Sequence, residues 1–471
     1  MIIYALKKGR MSKMETIAAI STPTGTGGIG IVRMSGKECF EILEKIFKPQ
    51  KEQKIEEIKG YTMKYGYIIN YQTGEKIDEV LVSYFKAPKS YTTENMCEIN
   101  SHGGTVVVQT ILEQCLIAGA RLAMPGEFTQ KAFLNGRIDL SQAEGIIDLI
   151  NSKTQKEAKA SFHQLEGVLS KKIQEIRKDI LNVMADIEAS IDYPEYDIEE
   201  VSNEKAKKEL EKIESKLEKL ESSFDTGKLL KEGIRTVIIG TPNSGKSSLL
   251  NAILNEERAI VSNIEGTTRD TIEEMINLRG IPLKLIDTAG IRDTENEIEK
   301  IGVKKALKLL EEADLTIALF DNTKPLEKED REIIELIKDK KAIILLNKID
   351  KKDSKLENEL EIQNLNKPIL KISAKTKEGI EELYEQIIKM FHLEEIELND
   401  GNLITNIRHK EQIRKALKSI LKGKNGIDNK VPIDIIEIAL KDALEALSEI
   451  TGENVSEDII NEIFSKFCLG K

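Results

Sequence analysis

The stretch from Thr236 to Leu250, which reads TVIIGTPNSGKSSLL, constrains the fold of this chain more than any other part of the sequence. A β-branched run is followed by the pattern GxxxxGK[ST] and then by residues suited to a helix, which is the strand–loop–helix arrangement of a P-loop. Glycines let the backbone wrap a phosphate so that successive N–H groups point at it, and the helix N-terminus adds further donors. Lys246 is predicted to contact the β- and γ-phosphates and Ser247 to ligate Mg²⁺. A chance glycine-rich turn is the alternative, and the motifs below disfavour it.

Residues 233 to about 390 alternate strand-like and helix-like patterns. This alternation predicts a mostly parallel sheet with helices on both of its faces. Helical patterns also lie on both sides of the segment along the chain. Because the termini of a domain commonly lie close together, we expect the segment to be inserted into one helical domain.

The motif Asn347-Lys348-Ile349-Asp350 follows the apolar strand KAIILL, at the strand end where α/β sheets bind ligands. The Asp350 carboxylate can accept both N–H groups of the guanine N1/N2 edge, which adenine lacks, so this residue selects GTP. Asn347 is predicted to bond the acceptor edge of the base, and the Ser373-Ala374-Lys375 loop to close over it. Alone this motif is weak, but in order after a P-loop it strongly indicates a GTP site.

Two further segments are predicted to meet the γ-phosphate and Mg²⁺. Asp287 begins DTAG at the end of the strand-like LKLI, which puts it near Mg²⁺ and puts the Gly290 N–H near the γ-phosphate. Thr268, within EGTTRD, is the candidate second hydroxyl ligand of Mg²⁺. The full predicted nucleotide-binding set is Asn243, Ser244, Gly245, Lys246, Ser247, Ser248, Ser262, Asn263, Ile264, Glu265, Gly266, Thr267, Thr268, Asp287, Thr288, Ala289, Gly290, Asn347, Lys348, Asp350, Ser373, Ala374 and Lys375.

The residue after DTAG departs from the small-GTPase pattern, because Ile291 stands where a water-orienting glutamine is expected. An aliphatic side chain cannot orient water, so catalysis must use another group, and acidic candidates lie between Asp293 and Glu299. Separately, Asn243 in the P-loop could place an amide oxygen beside the phosphates. A monovalent cation held there could stand in for an arginine finger.

The bulk composition excludes several classes of protein. The chain has 471 residues, 40% of them hydrophobic and 32% charged. No apolar run approaches the roughly 18 residues that span a bilayer, and the first residues lack the order of a signal peptide, so we predict a cytoplasmic protein without membrane contact. The net charge of −11 argues against nonspecific nucleic-acid binding by the whole surface. No CxxC spacing indicates a zinc site or a disulfide framework among Cys39, Cys97, Cys115 and Cys468.

Residues 15 to about 120 mix strand-like and helical patterns. Gly25, Gly27 and Gly30 satisfy GxGxxG, but a strand pattern follows them where a dinucleotide site needs a helix, so we reject that reading. Long helices are predicted after Gly126, with a capping box at Ser141 to Glu144. A stripe at 3-4 spacing predicts a packing seam and comprises Leu210, Ile213, Leu217, Leu220 and Phe224.

The motifs together closely resemble the MnmE/TrmE family of tRNA-modification GTPases from Glu15 onward. The signatures are TIAAISTPTGTGGIGIVRMSG, EINSHGG, PGEFTQKAFLNGRIDLSQAE, GTPNSGKSSLLN, EGTTRD, DTAGIRDT and the terminal FCLGK. The resemblance implies a multidomain fold with an N-terminal α+β folate-binding domain, a discontinuous helical domain and an inserted Ras-like P-loop G domain. We place a disordered extension at 1–13, the N-terminal folate-binding and dimerisation domain at 14–132, the helical domain at 133–230 and 392–471, and the G domain at 231–391.

The resemblance also implies the reaction and its partners. The family works as a homodimer with a FAD-dependent protein of the MnmG/GidA family, as a heterotetramer. Together they add a carboxymethylaminomethyl or aminomethyl group to C5 of the wobble uridine 34 of certain tRNAs. The one-carbon unit comes from a tetrahydrofolate, in the 5,10-methylene or 5-formyl form. Carried over by motif, the folate would contact Arg33, Glu98, Arg137 and Lys471, although a surface salt bridge is the alternative for each residue taken alone.

The family further implies a K⁺ ion that drives face-to-face dimerisation of two G domains. Glu299 matches the position that acts on the attacking water through bridging waters, which answers the need created by Ile291. Cys468 is ambiguous: thiolate chemistry helped by Lys471 is one reading and a structural cysteine is the other. The implied K⁺ ligands are Asn243, Ser262, Ile264 and Thr267.

The segment from Arg408 to Lys430 is the best candidate surface for tRNA phosphates, with a solvated helix face as the alternative. A regulatory ribosome-assembly GTPase that binds RNA is the rival function. The sequence has only one GKS motif, and no KH-type domain with a clear GxxG clamp follows the G domain, which counts against the rival. The basic residues of the segment are Arg408, Lys410, Arg414, Lys415, Lys418, Lys422, Lys424 and Lys430.

Overall fold

The computed structural model describes residues 15–23, 25–51, 59–192, 198–254, 273–287, 308–351, 356, 360–393 and 403–471. By its internal contacts the chain forms two compact units. The first unit comprises the residues up to Ile147 together with Phe162–Glu218 and Glu411–Lys471, and the second comprises Asp148–Ser161 and Lys219–Lys410. The proposed extension at 1–13 lies outside the described residues, and the three-domain division stays a prediction.

The first unit contains a seven-stranded sheet in the order β3-β4-β5-β6-β2-β1-β7. Neighbouring strands are antiparallel except β1 and β7. A strand, β2, follows the glycine-rich turn, as predicted. The bounds are β1 Ile17–Ile20, β2 Ile29–Ser35, β3 Phe47–Pro49, β4 Thr62–Ile69, β5 Lys76–Phe85, β6 Met96–His102 and β7 Arg121–Leu122.

Alternation along these strands gives the sheet two different faces. Val32, Val82 and Ile99 are fully buried in a core with helices α1 (Cys39–Ile46) and α2 (Thr105–Ile117). Because successive side chains point to opposite faces, Arg33 and Glu98, which are direct partners in the β2–β6 register, belong to the other face. Alternation therefore puts both charged side chains on the same face, and the β2–β6 register puts them next to each other.

The long helices predicted after Gly126 are present. The stripe from Leu210 to Phe224 is confirmed as a packing seam, since none of its five side chains is more than 5% exposed. In the described part of the chain, no helix is long and apolar enough to cross a membrane. The helix bounds are α3 Glu127–Leu134, α4 Leu140–Asn151, α5 Gln155–Leu165, α6 Val168–Asp192, α7 Ile198–Glu232, α12 Ile407–Asp428, α13 Ile433–Thr451 and α14 Glu457–Ser465.

The capping box predicted at Ser141 to Glu144 is wrong, because α4 begins at Leu140. Its N-terminus is capped by Asp139, whose Oδ1 accepts the Gln142 N–H at 2.9 Å, while the Asp139 N–H donates to Gln142 Oε1 at 3.0 Å. This pair satisfies two of the free donors at the helix start, as a capping box does. The Asp139–Gln142 pair and the Ser141–Glu144 pair both fit the capping-box pattern. The start of α4 at Leu140 shows that the first pair is the cap.

The second unit contains a six-stranded sheet in the order β13-β12-β11-β8-β10-β9. All neighbouring pairs are parallel except the β9–β10 hairpin, which confirms the predicted mostly parallel sheet. The strands are β8 Ile234–Gly240, β9 Glu273–Leu278, β10 Ile281–Asp287, β11 Leu315–Asp321, β12 Ala342–Asn347 and β13 Ile369–Ile372. The helices that accompany them are α8 Lys246–Leu254, α9 Lys328–Ile337, α10 Leu360–Gln363 and α11 Ile380–Met390.

The turn between β9 and β10 is held by the start of α5, within the second unit. The Thr154 hydroxyl donates to the Gly280 carbonyl at 2.7 Å and accepts the Glu157 N–H at 3.2 Å. Glu157 Oε2 in turn accepts the Lys153 N–H at 2.6 Å. One hydroxyl therefore both caps α5 and fixes the hairpin.

We expect Thr154→Val to lower the free energy of unfolding of the second unit by about 1 to 2 kcal/mol, because valine keeps the shape but loses the cap and the hydrogen bond to the half-buried Gly280 carbonyl. Urea unfolding of the full chain measures the effect. Thr154→Ser keeps the hydroxyl and is the matched control. A valine variant as stable as the serine variant would contradict this role.

Candidate functional site

The phosphate loop joins β8 to α8 and has a backbone that requires glycine at two positions. Gly245 has φ of +108°, and a Cβ there would lie 2.2 Å from the Asn347 side-chain nitrogen. At Gly240 a Cβ would lie 2.6 Å from both the Leu319 carbonyl oxygen and Ser244 Oγ. Asn243 also has positive φ, at 63°, a conformation that asparagine adopts more readily than most residues. The loop therefore packs closely against Leu319 and Asn347.

The predicted phosphate ligands lie at the end of this loop. Lys246 Nζ donates to the carbonyls of Gly240 and Thr241, both at 2.9 Å, so the ammonium lies across the loop. Ser247 and Ser248 are exposed in the first turn of α8. Ser247 is thus accessible to solvent, its hydroxyl oxygen is a type of ligand that Mg²⁺ accepts, and its role as a metal ligand stays a prediction. Ser244 is only 1% exposed, and its hydroxyl has no hydrogen-bond partner among the described residues.

Asn347 connects the phosphate loop to the loop after β13. Its Nδ2 donates to the Ser244 carbonyl at 2.8 Å, and its Oδ1 accepts the Ala374 N–H at 3.0 Å. The side chain is 2% exposed. The structure therefore gives Asn347 a bridging role between two loops, which the sequence did not predict, and its contact with the base stays a prediction.

The loops after β12 and β13 hold two further groups of hydrogen-bonded residues. The Ser373 hydroxyl donates to Asp350 Oδ1 at 2.8 Å, which orients the carboxylate predicted to read guanine. Lys348 Nζ donates to the Asn243 carbonyl at 2.7 Å and to Asp321 at 2.6 Å. Burial opposes ionisation of Asp321, but hydrogen bonds from Lys348 and from Thr323 lower its pKa. The sequence analysis did not identify Asp321. Its position at the carboxyl end of β11, where α/β sheets bind ligands, could have indicated it.

Several predicted nucleotide and metal ligands lie outside the described residues. Only the backbone of Asp287 is described, as the last residue of β10. The roles of these residues stay predictions. Those outside the described ranges are Ser262, Asn263, Ile264, Glu265, Gly266, Thr267, Thr268, Thr288, Ala289, Gly290 and Glu299.

A separate cavity of about 760 Å³ lies in the first unit and brings together the residues predicted to bind folate. Arg33, Glu98, Arg137 and Lys471 all line it. They come from β2, from β6, from the loop after α3 and from the end of the chain. Tyr91 and Asn135 are among the other lining residues. Sequence separation among the four reaches 438 positions (471 − 33), so only the fold brings them together.

Arg33 is held on several sides at the wall of this cavity. Its Nε and Nη2 donate to Glu98 Oε1 at 2.9 and 2.8 Å, and its Nη1 donates to the Gly470 carbonyl at 3.1 Å. The rings of Tyr91 and Phe128 lie 5.8 and 5.6 Å from its guanidinium carbon. Both groups of the ion pair are partly exposed, at 15% and 20% of their side-chain surfaces. The pair can therefore contact a ligand from a fixed position.

The other two cations have different surroundings. Arg137 Nη1 donates to the Tyr91 carbonyl at 3.0 Å, and its guanidinium carbon lies 4.8 Å from the centre of the Tyr91 ring. Burial and the positive charge of Arg33 lower the pKa of the Lys471 ammonium, while Glu98 and Cys468 act in the opposite direction. An anionic group in the cavity would favour the charged form of Lys471.

Cys468 is exposed and is not among the residues that line the cavity. Its backbone carbonyl accepts the Gly126 N–H at 3.5 Å. The neighbouring tail is bound by its backbone as well, since Phe128 N–H donates to the Lys471 carbonyl at 3.2 Å. The docking of the tail thus uses main-chain groups, and a chemical role of the thiol stays a prediction.

The basic segment forms most of α12, and ion pairs use part of its charge. Lys410 pairs with Asp225 at 3.4 Å, and Lys424 pairs with Glu214. Five of the eight basic side chains are exposed and remain candidates for a phosphate surface: Arg414, Lys415, Lys418, Lys422 and Lys430.

Comparison with known proteins gives consistent matches along the chain. Residues 140–468 match the family model described as the MnmE helical domain, and residues 16–137 match the one described as the GTP-binding protein TrmE N-terminus. A protein of Acetivibrio thermocellus named tRNA modification GTPase MnmE is 51% identical over 461 residues, which are 98% of this chain and 100% of that protein. The protein of the same name from Alkaliphilus oremlandii is 48% identical over 459 residues, 97% of this chain and 99% of that one.

Among solved structures, the chain resembles the G domain of the T. maritima FeoB iron transporter. The match has 31% sequence identity and covers 33% of this chain and 96% of that one, with a TM-score of 0.26.

We expect Asn347→Asp to loosen the phosphate loop, because the new carboxylate faces the Ser244 carbonyl and cannot donate to it, although it can still accept the Ala374 N–H. In nucleotide-free protein, amide exchange of residues 241–247 should speed up by about tenfold or more, the size expected for a lost buried hydrogen bond. Since no base is present, a lost base contact cannot cause this. Asn251→Asp, on the exposed side of α8, is the control. Unchanged exchange in Asn347→Asp would show that the bridge does not hold the loop.

Proposed function

Because the chain belongs to the MnmE/TrmE family of tRNA modification GTPases, we propose that it hydrolyses GTP to drive the modification of C5 of wobble uridine 34 in certain tRNAs. With a FAD-dependent partner of the MnmG/GidA family, it would add a carboxymethylaminomethyl or aminomethyl group. The carbon would come from 5,10-methylene- or 5-formyl-tetrahydrofolate. The observation that carries the proposal is the cavity lined by Arg33, Glu98, Arg137 and Lys471.

The chemistry of this cavity fits a folate. Glu98 Oε1 accepts both Arg33 hydrogen bonds, so Oε2 is the atom that would accept the N–H donors of a pterin ring. Arg137 and Lys471 would receive the carboxylates of the glutamate tail. Because Arg33 is held by Glu98, by Gly470 and by two rings, it would bind the ligand with little further loss of side-chain freedom.

At the nucleotide site, the loop from Gly240 to Lys246 would hold the phosphates through backbone N–H groups. Ser247 and Thr268 would ligate Mg²⁺, which neutralises charge on the phosphates when bound. Asp350 would accept the guanine N–H groups from the position that Ser373 gives it. Glu299 would act on the attacking water, since Ile291 cannot.

We also propose that K⁺ binds Asn243, Ser262, Ile264 and Thr267 and promotes the pairing of two G domains in a homodimer. The support is that Asn243 lies in the phosphate loop with an exposed side chain. The tRNA would bind along the exposed cations of α12, and the complex with the FAD protein would be a cytoplasmic heterotetramer.

The modification itself is tested in a strain that lacks the gene, by mass analysis of wobble uridine in its tRNA. We expect unmodified uridine in the deletion strain and restoration by the wild-type gene. Lys246→Ala, which removes the phosphate-binding ammonium, and Arg33→Gln, which removes the guanidinium of the cavity, should each fail to restore it. Normal modification in the deletion strain would instead favour the rival function, a ribosome-assembly GTPase.

The cation proposal predicts GTP hydrolysis at least about tenfold faster in KCl than in NaCl at matched ionic strength, because a bound cation stabilises charge that develops on the phosphates. Phosphate release under saturating GTP measures the rates. Asn243→Gly removes the amide ligand, and glycine adopts the φ of 63° without strain, so this variant should lose the difference. Equal rates of the wild type in the two salts would refute the K⁺ site.

A further inference from the structure

Tyr91 contacts both arginines of the cavity through its ring. The ring centre lies 5.8 Å from the guanidinium carbon of Arg33 and 4.8 Å from that of Arg137, within the range of cation–π attraction. Sequence analysis assigned no role to this residue, since a single tyrosine in a loop has no pattern to mark it.

Two other groups of Tyr91 are also engaged. Its carbonyl accepts Arg137 Nη1 at 3.0 Å, and its hydroxyl lies 2.8 Å from Oγ1 of Thr129, which is completely buried. Burial raises the pKa of the Tyr91 phenol, so the ring is neutral at physiological pH and carries no charge that could pair with an arginine. The hydroxyl thus anchors the ring against α3, and the ring face remains available to the guanidinium groups.

The two arginines depend on Tyr91 to different degrees. Arg33 is also held by Glu98 and by the Gly470 carbonyl. For the Arg137 guanidinium, in contrast, both of the polar and ring contacts that it makes among the described residues go to Tyr91. Loss of the ring would therefore release Arg137 more than Arg33.

We propose that Tyr91 is a positioning residue of the cavity, which holds the Arg137 guanidinium in place to receive an anionic group of the ligand. A freely rotating arginine loses side-chain entropy when it binds, and a guanidinium already held by a ring loses less. This inference rests on the proposed folate site. It adds Tyr91 as the residue that holds the Arg137 guanidinium in position before the ligand binds.

The test varies the electron density of the ring while its shape is kept. Tyr91→Phe and a series of fluorinated phenylalanines at position 91 weaken cation–π attraction step by step. Isothermal titration with 5-formyltetrahydrofolate measures the dissociation constant. We expect Tyr91→Phe to bind within about threefold of wild type and the trifluorinated ring to bind about tenfold more weakly. Trifluorophenylalanine at Tyr71, an exposed tyrosine outside the cavity, is the control and should bind as wild type.

A double-mutant cycle checks that Tyr91 acts through Arg137. With Arg137→Ala as background, the fluorinated series should no longer change affinity, because the guanidinium that it acts on is gone. Equal losses in both backgrounds would overturn the inference, and so would a flat series in the wild-type background. If the wild type itself does not bind 5-formyltetrahydrofolate, the proposed folate site fails together with the inference. If the wild type binds 5-formyltetrahydrofolate but the fluorinated rings do not change the affinity, only the inference about Tyr91 is overturned.

Discussion

The hydrogen bond from Arg33 Nη1 to the Gly470 carbonyl joins residues 437 positions apart and connects the end of the chain to a residue that lines the cavity of the first unit. Gly470 can make this contact because it has φ of +86°, and a Cβ there would lie 2.2 Å from the Ile20 carbonyl oxygen. The same carbonyl also accepts the Ser21 hydroxyl at 3.1 Å. The end of the chain thus contributes a backbone acceptor that holds Arg33, and it contributes Lys471 to the lining of the cavity. In the terminal FCLGK motif, the glycine and the main-chain groups therefore have structural roles of their own, besides any role of the cysteine.

The phosphate site depends on a comparable internal bond in the second unit. Asn347 has both ends of its amide engaged and is almost fully buried, so removing either partner would leave a buried polar group unsatisfied. The glycine at position 245 is required by the same contact, because the Asn347 nitrogen occupies the space of a Cβ. Two motifs that are separated by about a hundred residues therefore constrain each other through packing as well as through a shared ligand.

Sequence patterns predicted the elements and the nucleotide motifs, because periodicity and P-loop spacing are local properties. The alternation after Thr236 predicted the parallel sheet, and the stripe from Leu210 to Phe224 predicted a buried seam. The capping box predicted at Ser141 to Glu144 was wrong, since the Asp139–Gln142 pair caps α4 and fits the same local pattern. The family resemblance supplied the four residues that are predicted to bind folate and that line the cavity. Neither source indicated Tyr91, whose role exists only where two arginines distant in sequence meet one ring.

The charges of the cavity have a physical consequence for the kind of ligand that it can hold. Arg33 is neutralised by Glu98, whereas Arg137 has a carbonyl and a ring as partners, and neither carries a negative charge. Lys471 is partly buried near Arg33, and this environment lowers the pKa of its ammonium. A carboxylate placed between Arg137 and Lys471 would offset both effects, because an opposite charge favours the protonated amine and pairs with the guanidinium. The same arrangement disfavours a cationic ligand, which would add to charges that the fold already holds close together.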